Sequence, residues 1–179
     1  MPLRIGQPAD HTFREPLGLL SDCHRRIEYF LDVLLRLAEQ PSHSLTREQK
    51  LEVAQALWYF ETAAPRHTAD EESSLFPRLR KSGNPDAVKA FDTLARLERD
   101  HEIAGAHHRA VDALWRRRLA LEELPPLEMR ELRDRLGVLQ AIYKEHILVE
   151  DAELFPVAAK VLSPADIAAI GMEMASRRR

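Results

Sequence analysis

Several classes of protein are excluded by what this sequence lacks. The chain has one cysteine among 179 residues, so it can form no internal disulfide and no thiolate zinc or iron–sulfur site. No apolar run approaches the ~20 residues that span a bilayer, and residues 1–10 lack the basic-then-apolar pattern of a secretory signal. A net charge of −3 gives no electrostatic reason to expect nucleic acid. The sequence therefore predicts a cytoplasmic protein that binds neither nucleic acid nor a membrane.

Glycine is also scarce, with 6 residues in the chain, and the prolines lie mostly at the edges of long segments with helical periodicity. No stretch alternates between polar and apolar residues as a half-buried strand does. We therefore predict an all-α fold with four long helices and a short fifth, in which Pro65 kinks the second helix. The predicted long helices cover residues 16–40, 46–83, 86–121 and 127–161.

The length of the chain fits one domain with a sizeable core. We divide it into an N-terminal extension (1–15), a helical bundle (16–162), and a short C-terminal helix with a basic tail (163–179). Two arginine clusters, at 116–118 and 177–179, are interpreted as a solvated helix end and a frayed tail.

Histidine interrupts the apolar stripe of every long helix. Each stripe steps by three and four residues, which is the spacing of a face that points into a bundle core. Glutamate interrupts two of these stripes as well. The residues concerned are His24, His67, Glu71, His101, His146 and Glu150.

The two halves of the sequence repeat each other. Residues 67–77 and 146–156 both begin with His, carry Glu at the fifth position and end in Leu-Phe-Pro, at an offset of 79 residues. The preceding histidines, His24 and His101, repeat at an offset of 77. This pattern indicates a duplicated two-helix unit, and two such units pack into an antiparallel bundle with approximate two-fold symmetry.

The repeated His-x-x-x-Glu pairs predict a metal site. Residues four apart on a helix share a face, so each pair presents an imidazole beside a carboxylate toward the core. A lone histidine there is more often a hydrogen-bonded core residue, but two buried carboxylates among four histidines need cations. Imidazole with carboxylate suits iron, manganese or zinc. By the duplication, one ion should take His24 and His67, and the other His101 and His146.

The combined pattern resembles the hemerythrin-like, or HHE cation-binding, family. The matching residues are those six, with Leu-Phe-Pro closing both motifs, and the resemblance covers about residues 16–161. It implies an up-down-up-down four-helix bundle around two iron ions joined by an oxo or hydroxo bridge. Carried over by position, Glu71 and Glu150 would be the bridging carboxylates.

Two departures separate this sequence from the oxygen-carrying hemerythrins. Those carriers have a fifth histidine one turn after the first on the third helix, where this chain has Ala104 and Gly105. They also end with an Asp five residues after the last His, whereas here Glu150 stands at the fourth position and Asp151 at the fifth. The sequence resembles the branch with four histidines and two glutamates instead, and a dedicated oxygen-transport role is not favoured.

Other polar residues are expected around the metals. Tyr143 could donate a hydrogen bond to a bound oxygen species or ligate iron, and it could equally be a core tyrosine bonded to a carbonyl. His108 lies ~10 Å along the axis from His101, too far for direct ligation, and is expected near the site or in the plain core. Glu153 is placed on the inward stripe, with Arg78 as its expected partner.

The residues that follow the two glutamates, Glu72 and Asp151, are expected to face a neighbouring helix or solvent. Cys23 is expected to be a packed thiol.

Three functions remain open at this stage. The first is a di-iron protein that binds or senses a small oxidant: dioxygen, peroxide or nitric oxide. The second is a di-iron enzyme that consumes peroxide or reduces nitric oxide. The third is a helical metal-binding module with a role in iron storage, sensing or interaction. The sequence names no protein partner or electron donor.

Overall fold

The computed structural model describes residues 10–40 and 45–179, and in these residues every regular element is helical. The predicted all-α fold is confirmed. The elements are α1 (Pro16–Glu39), α2 (Arg47–Thr62), α3 (Ala64–Asp70), a first π turn (Glu71–Leu75), α4 (Phe76–Lys81), α5 (Pro85–Lys89), α6 (Phe91–Leu121), α7 (Pro126–Val149), a second π turn (Glu150–Leu154), α8 (Phe155–Val161) and α9 (Pro164–Ser176).

Four arms form the bundle. The first is α1, the second runs from α2 to α4, the third comprises α5 and α6, and the fourth runs from α7 to α8. Arm one packs on α2 and on α7, while α6 packs on α7. The second arm is interrupted at Ala63, just before Pro65, because proline has no N–H to donate and its ring clashes with the preceding turn.

The hydrophobic core consists of two clusters with the histidines between them. On α1, Leu20 belongs to one cluster and Ile27 to the other, and His24 lies between them. On α6, Leu97 and Ala104 lie in the same way on either side of His101. The predicted polar residues therefore occupy one layer across a core that is apolar above and below it.

The two π turns were not predicted from the sequence, and they change which residues face inward. A π turn adds one residue to the helix, which rotates everything after it by about 100°. The expected stripe position Glu153 therefore gives way to the buried Leu154, and Ala158 is buried one turn later. Glu153 is exposed, so its placement on the inward stripe was wrong.

Arg78 was expected to pair with Glu153. It pairs instead with a residue of the last helix. Its guanidinium donates to Glu173 of α9 at 2.7 Å. The hydroxyl of Ser74 also bonds Glu173, at 2.5 Å. This helix packs on α1, α3 and the first π turn, and it covers the side chain of Ser74, which is fully buried.

The interpretation of the two arginine clusters as solvated holds for the exposed Arg116, Arg117 and Arg179. It was wrong for the other three arginines. Arg177 and Arg178 donate to the two oxygens of Asp70, at 2.9 and 2.5 Å, and the Asp70 side chain is fully buried. Arg118 is buried as well, where it donates to the carbonyl of Leu37 at 3.0 Å. The C-terminal arginines are therefore anchored beside the segment that carries Glu71.

None of the helices in residues 10–40 and 45–179 combines the length and the apolarity that crossing a bilayer requires.

We expect the double variant Arg177→Gln/Arg178→Gln to melt at a lower temperature than the unmodified protein. The change leaves the buried Asp70 carboxylate without its charged partners, which costs about 3 kcal/mol. For a chain of this length the loss corresponds to a fall of roughly 6–12 °C in Tm. Arg179→Gln, at an exposed position, is the control and should leave Tm unchanged; equal melting of all three proteins would contradict the anchoring role.

Candidate metal centre

The structure brings all six candidate ligands together in one layer of the bundle. Five of them are 0–4% exposed, and the His101 side chain is 9% exposed. Their ligand atoms form two overlapping groups, in each of which the atoms lie within 4.8 Å of one another. One group is His24, His67, Glu71 and Glu150, and the other is Glu71, His101, His146 and Glu150. The grouping of the histidines in space is the one expected from the sequence repeat.

Both glutamates lie between the two histidine pairs. Glu71 turns Oε1 toward His67 Nε2 at 3.2 Å and Oε2 toward His101 Nε2 at 3.4 Å. Glu150 Oε2 lies 3.1 Å from His24 Nε2 and 3.2 Å from His146 Nε2. Each carboxylate thus contacts one histidine from each pair, which is the arrangement that a carboxylate shared by two ions requires.

The glutamate oxygens and the histidine Nε2 atoms are close enough for hydrogen bonds, but their angles do not fit hydrogen bonds. All four carboxylate oxygens of Glu71 and Glu150 are buried without a hydrogen-bond partner, and so is Nε2 of His24. Leaving such groups unpaired costs about 1–3 kcal/mol each, and more for a charged group. Imidazole nitrogens and carboxylate oxygens that converge in this way fit one or two cations at their common centre.

The electrostatics of the layer favour a charged state of several of its members. Burial opposes ionisation of Glu71, but the neighbouring imidazoles of His67, His101 and His24 hold the pKa of Glu71 well below its ordinary value. Burial likewise opposes protonation of His24, yet contacts to Asp151, Glu150 and Glu71 raise the pKa of that imidazole well above its ordinary value. The imidazoles around Glu71 therefore stabilise its negative charge.

The outer nitrogens of two histidines are bound by the residues expected to face a helix or solvent. Nδ1 of His24 bonds Asp151 at 3.1 Å, and Nδ1 of His101 bonds Glu72 at 2.7 Å. Ser21 donates a further hydrogen bond to Asp151 at 2.6 Å. A carboxylate on the outer nitrogen fixes the tautomer and orientation of a ligating imidazole. Sequence reasoning missed these contacts, although an acidic residue after each glutamate was itself part of the repeat.

The two halves differ at the remaining two histidines. Asp100 lies 3.6 Å from Nδ1 of His146, whereas Nδ1 of His67 is buried without a hydrogen-bond partner. By the repeat, Cys23 occupies the position of Asp100 in the first half. Burial raises the pKa of the Cys23 thiol, so an uncharged side chain stands where the second half has a carboxylate. The duplicated site is therefore asymmetric around its histidines.

Tyr143 and His108 form a hydrogen-bonded pair on one side of the layer. The hydroxyl oxygen of Tyr143 lies 2.9 Å from Nε2 of His108, and Tyr143 also lines the small space enclosed by the four histidines. Its partner is thus an imidazole and not a backbone carbonyl. Burial lowers the pKa of His108 to about 4, so this ring is neutral at pH 7. The phenol therefore contacts a neutral imidazole on one side and the polar layer on the other.

A helical bundle with an inward layer of four histidines and two glutamates defines a class of bundle metal proteins. Comparison with known proteins is more specific. The family model of the hemerythrin HHE cation binding domain matches residues 15–158, and this chain belongs to that family. A Haemophilus influenzae protein described as an "Uncharacterized protein" is 32% identical over 171 residues, which are 94% of this chain and 92% of the relative.

We expect Glu72→Ala and Asp151→Ala to weaken metal binding by roughly 10–100-fold, because each change removes the acceptor that orients a histidine. Competition of the purified protein with a coloured chelator for zinc or ferrous iron measures the effect. Glu153→Ala is the matched control, since Glu153 lies on the same π turn and is exposed like Asp151, but of the two residues it is Asp151 that bonds His24. Equal losses in the control and in Asp151→Ala would show that the orientation of His24 does not matter.

Proposed function

We propose that this protein holds two iron ions, joined by an oxo or hydroxo bridge, and uses them to bind or sense a small oxidant. The ligands in this proposal are His24, His67, Glu71, His101, His146 and Glu150. The observation that carries it is the position of the two glutamates, which face both histidine pairs with oxygens that have no hydrogen-bond partner. Membership of the cation-binding family supports it.

The donor set explains why a small molecule would be the ligand. Two imidazoles and two shared carboxylates give each ion fewer protein donors than an octahedral ion takes, so positions remain for a bridging oxygen and for a molecule from outside. Bound iron would supply redox chemistry there. The space that Tyr143, Ile27 and Ala64 help to line beside the histidines has a volume of about 10 Å³. A space of this volume holds about one molecule of the size of water, which favours the smallest oxidants, a diatomic molecule or a peroxide.

A second function, an enzyme that consumes peroxide or reduces nitric oxide, is supported by the Tyr143–His108 pair. Either reaction needs protons, and Tyr143, which lines the histidine space, carries a hydroxyl that could donate them. The imidazole of His108 would hold that hydroxyl in place through the 2.9 Å contact. The protein partner or electron donor of such a reaction would be a further component. A cytoplasmic location is part of both proposals, because one unpaired cysteine is typical of reducing compartments.

We expect about two iron atoms per chain after reconstitution with ferrous iron, since each histidine pair would hold one ion. Glu71→Ala and Glu150→Ala should each reduce the content severely and to a similar degree, because the repeat makes them equivalent. Glu145→Ala, at an exposed position of α7, is the control and should retain both ions. Atomic absorption measures the content, and an iron content near zero in the unmodified protein would overturn the proposal.

Melting curves provide a second readout for the same prediction. Metal that binds the folded state alone, at a free concentration of 100 times Kd, adds about 2.7 kcal/mol of stability, or roughly 5–11 °C in Tm. Chelation should remove this increment in the unmodified protein and change little in Glu71→Ala. Identical melting with and without metal would show that no buried site is formed.

We expect the reduced, iron-loaded protein to oxidise quickly in air, in a reaction that removal of oxygen does not reverse. The reason is that Ala104 and Gly105 leave the His101 ion without a third imidazole, so both ions stay open to the oxidant. Gly105→His should slow this oxidation. A Cβ at Gly105 would meet the Arg109 guanidinium at 3.6 Å, an ordinary contact distance, so there is room for a side chain.

Stopped-flow absorption spectra of the reduced protein mixed with oxygen measure this reaction. Gly137→His is the control, because a Cβ at Gly137 meets nothing within 4 Å and its position on α7 is exposed. Reversible oxygenation of the unmodified protein would contradict the expectation and favour oxygen storage.

A further inference from the structure

A second cavity, of about 220 Å³, lies between α1, α2 and α6. Its inner wall is apolar: Leu34, Leu57 and Val111 line it and are 0–5% exposed. Phe60 and His108 complete this wall. We call this cavity the α1/α2/α6 chamber. Contact with this apolar wall is more favourable for a weakly polar molecule than contact with water.

The chamber and the histidine layer lie at different heights along the bundle axis. The helical rise between the residues that line the two spaces gives the distance between them. In each of the first three arms, a chamber residue stands seven positions from a residue that lines the space beside the histidines. Seven positions are two helical turns, or ~10 Å. The pairs are Ile27 and Leu34 on α1, Leu57 on α2 with Ala64 at the start of α3, and His101 and His108 on α6.

The wall between chamber and histidine layer contains the Tyr143–His108 pair. His108 lines the chamber, Tyr143 lines the histidine space, and their side chains are joined at 2.9 Å. Phe60 stacks on the His108 ring with a centroid distance of 4.3 Å. This bonded pair therefore reaches from the lining of the chamber to the lining of the histidine space.

The mouth of the chamber is charged, in contrast to its interior. Glu61, Arg109 and Asp112 line it, and Arg116 joins two of these residues, with contacts of 3.0 Å to Glu61 and 2.8 Å to Asp112. Charges of both signs at the mouth give no net attraction for an anion. The apolar interior then disfavours any ion, because transfer of an ion out of water is costly.

We propose that the α1/α2/α6 chamber is a binding site for a neutral diatomic molecule, dioxygen or nitric oxide, on its path to the metal centre. This proposal rests on the proposed function and narrows its ligand: peroxide, which needs hydrogen bonds, fits the apolar wall less well. The volume is sufficient, because an enclosed apolar cavity of ~150 Å³ is known to bind benzene or xenon, and in this open chamber the apolar inner wall is the part that would hold the molecule. The chamber also places that molecule against the Tyr143–His108 wall.

Xenon tests the chamber without any metal chemistry. Crystals of the full-length protein under xenon pressure should show an atom between Leu34, Leu57 and Val111. Leu57→Trp should abolish that site by filling it, and the smaller change Leu57→Phe should reduce it, which keeps the test valid if the tryptophan variant does not fold. Xenon bound only elsewhere, or unchanged by both variants, would overturn the proposal.

Reaction kinetics test the path. In iron-loaded protein, Leu57→Trp should leave the iron content and absorption spectrum unchanged while it slows reaction with dioxygen by about tenfold, a rise of about 1.4 kcal/mol in the barrier. Leu57→Phe should slow the reaction less. Leu127→Trp is the matched control, since Leu127 is 78% exposed and lines a different surface cavity, and it should react at the original rate.

The possible failures are distinguishable. A rate that stays unchanged when xenon binding is lost would mean that the oxidant enters elsewhere, for example past Thr68 and Ile147, which also line the histidine space, and the chamber proposal would fall. A lack of iron in the unmodified protein would instead overturn the proposed function.

Discussion

Two carboxylates at the centre of a hydrophobic bundle are the constraint on which the rest of this structure depends. Glu71 and Glu150 are fully buried and lack hydrogen-bond partners. Such groups are tolerated only where positive charge is in contact with them. Four imidazoles surround them, and the apolar clusters on either side exclude water from the layer. The proposed di-iron centre is the arrangement that would satisfy all six side chains together.

The regular α-helical geometry of the second and fourth arms is interrupted at these glutamates. Each one begins a π turn, and such turns are common at functional sites. The turn changes the direction of the residues that follow, so that Glu72 and Asp151 reach the outer nitrogens of histidines on other helices. Asp70, the last residue of α3 before the first π turn, is held by the two arginines that follow α9. Three consecutive residues thus have three different roles. Asp70 holds the C-terminal arginines, Glu71 lies in the histidine layer, and Glu72 bonds the outer nitrogen of His101.

The two halves of the duplicated site are not identical around their histidines. His146 has Asp100 near its outer nitrogen and His67 has no such partner, because Cys23 occupies the equivalent position. The Tyr143–His108 pair has no tyrosine counterpart in the first half, since the residue 79 positions before Tyr143 is Ala64. The two metal positions would therefore differ in orientation and in their access to a proton donor.

The sequence by itself determined the all-helical fold, the repeat and the six inward side chains, because stripe periodicity and the His-x-x-x-Glu spacing depend on local helix geometry. It did not reveal the π turns, so Glu153 was placed inward, and Glu72 and Asp151 were expected to face a neighbouring helix or solvent without the histidines that they bond being named. It did not reveal the anchoring of Arg177 and Arg178, or the partner of Tyr143, which depend on how distant helices meet. A one-residue insertion in a helix and a contact between remote segments leave no periodic signal, and only the packing of the whole chain decides them.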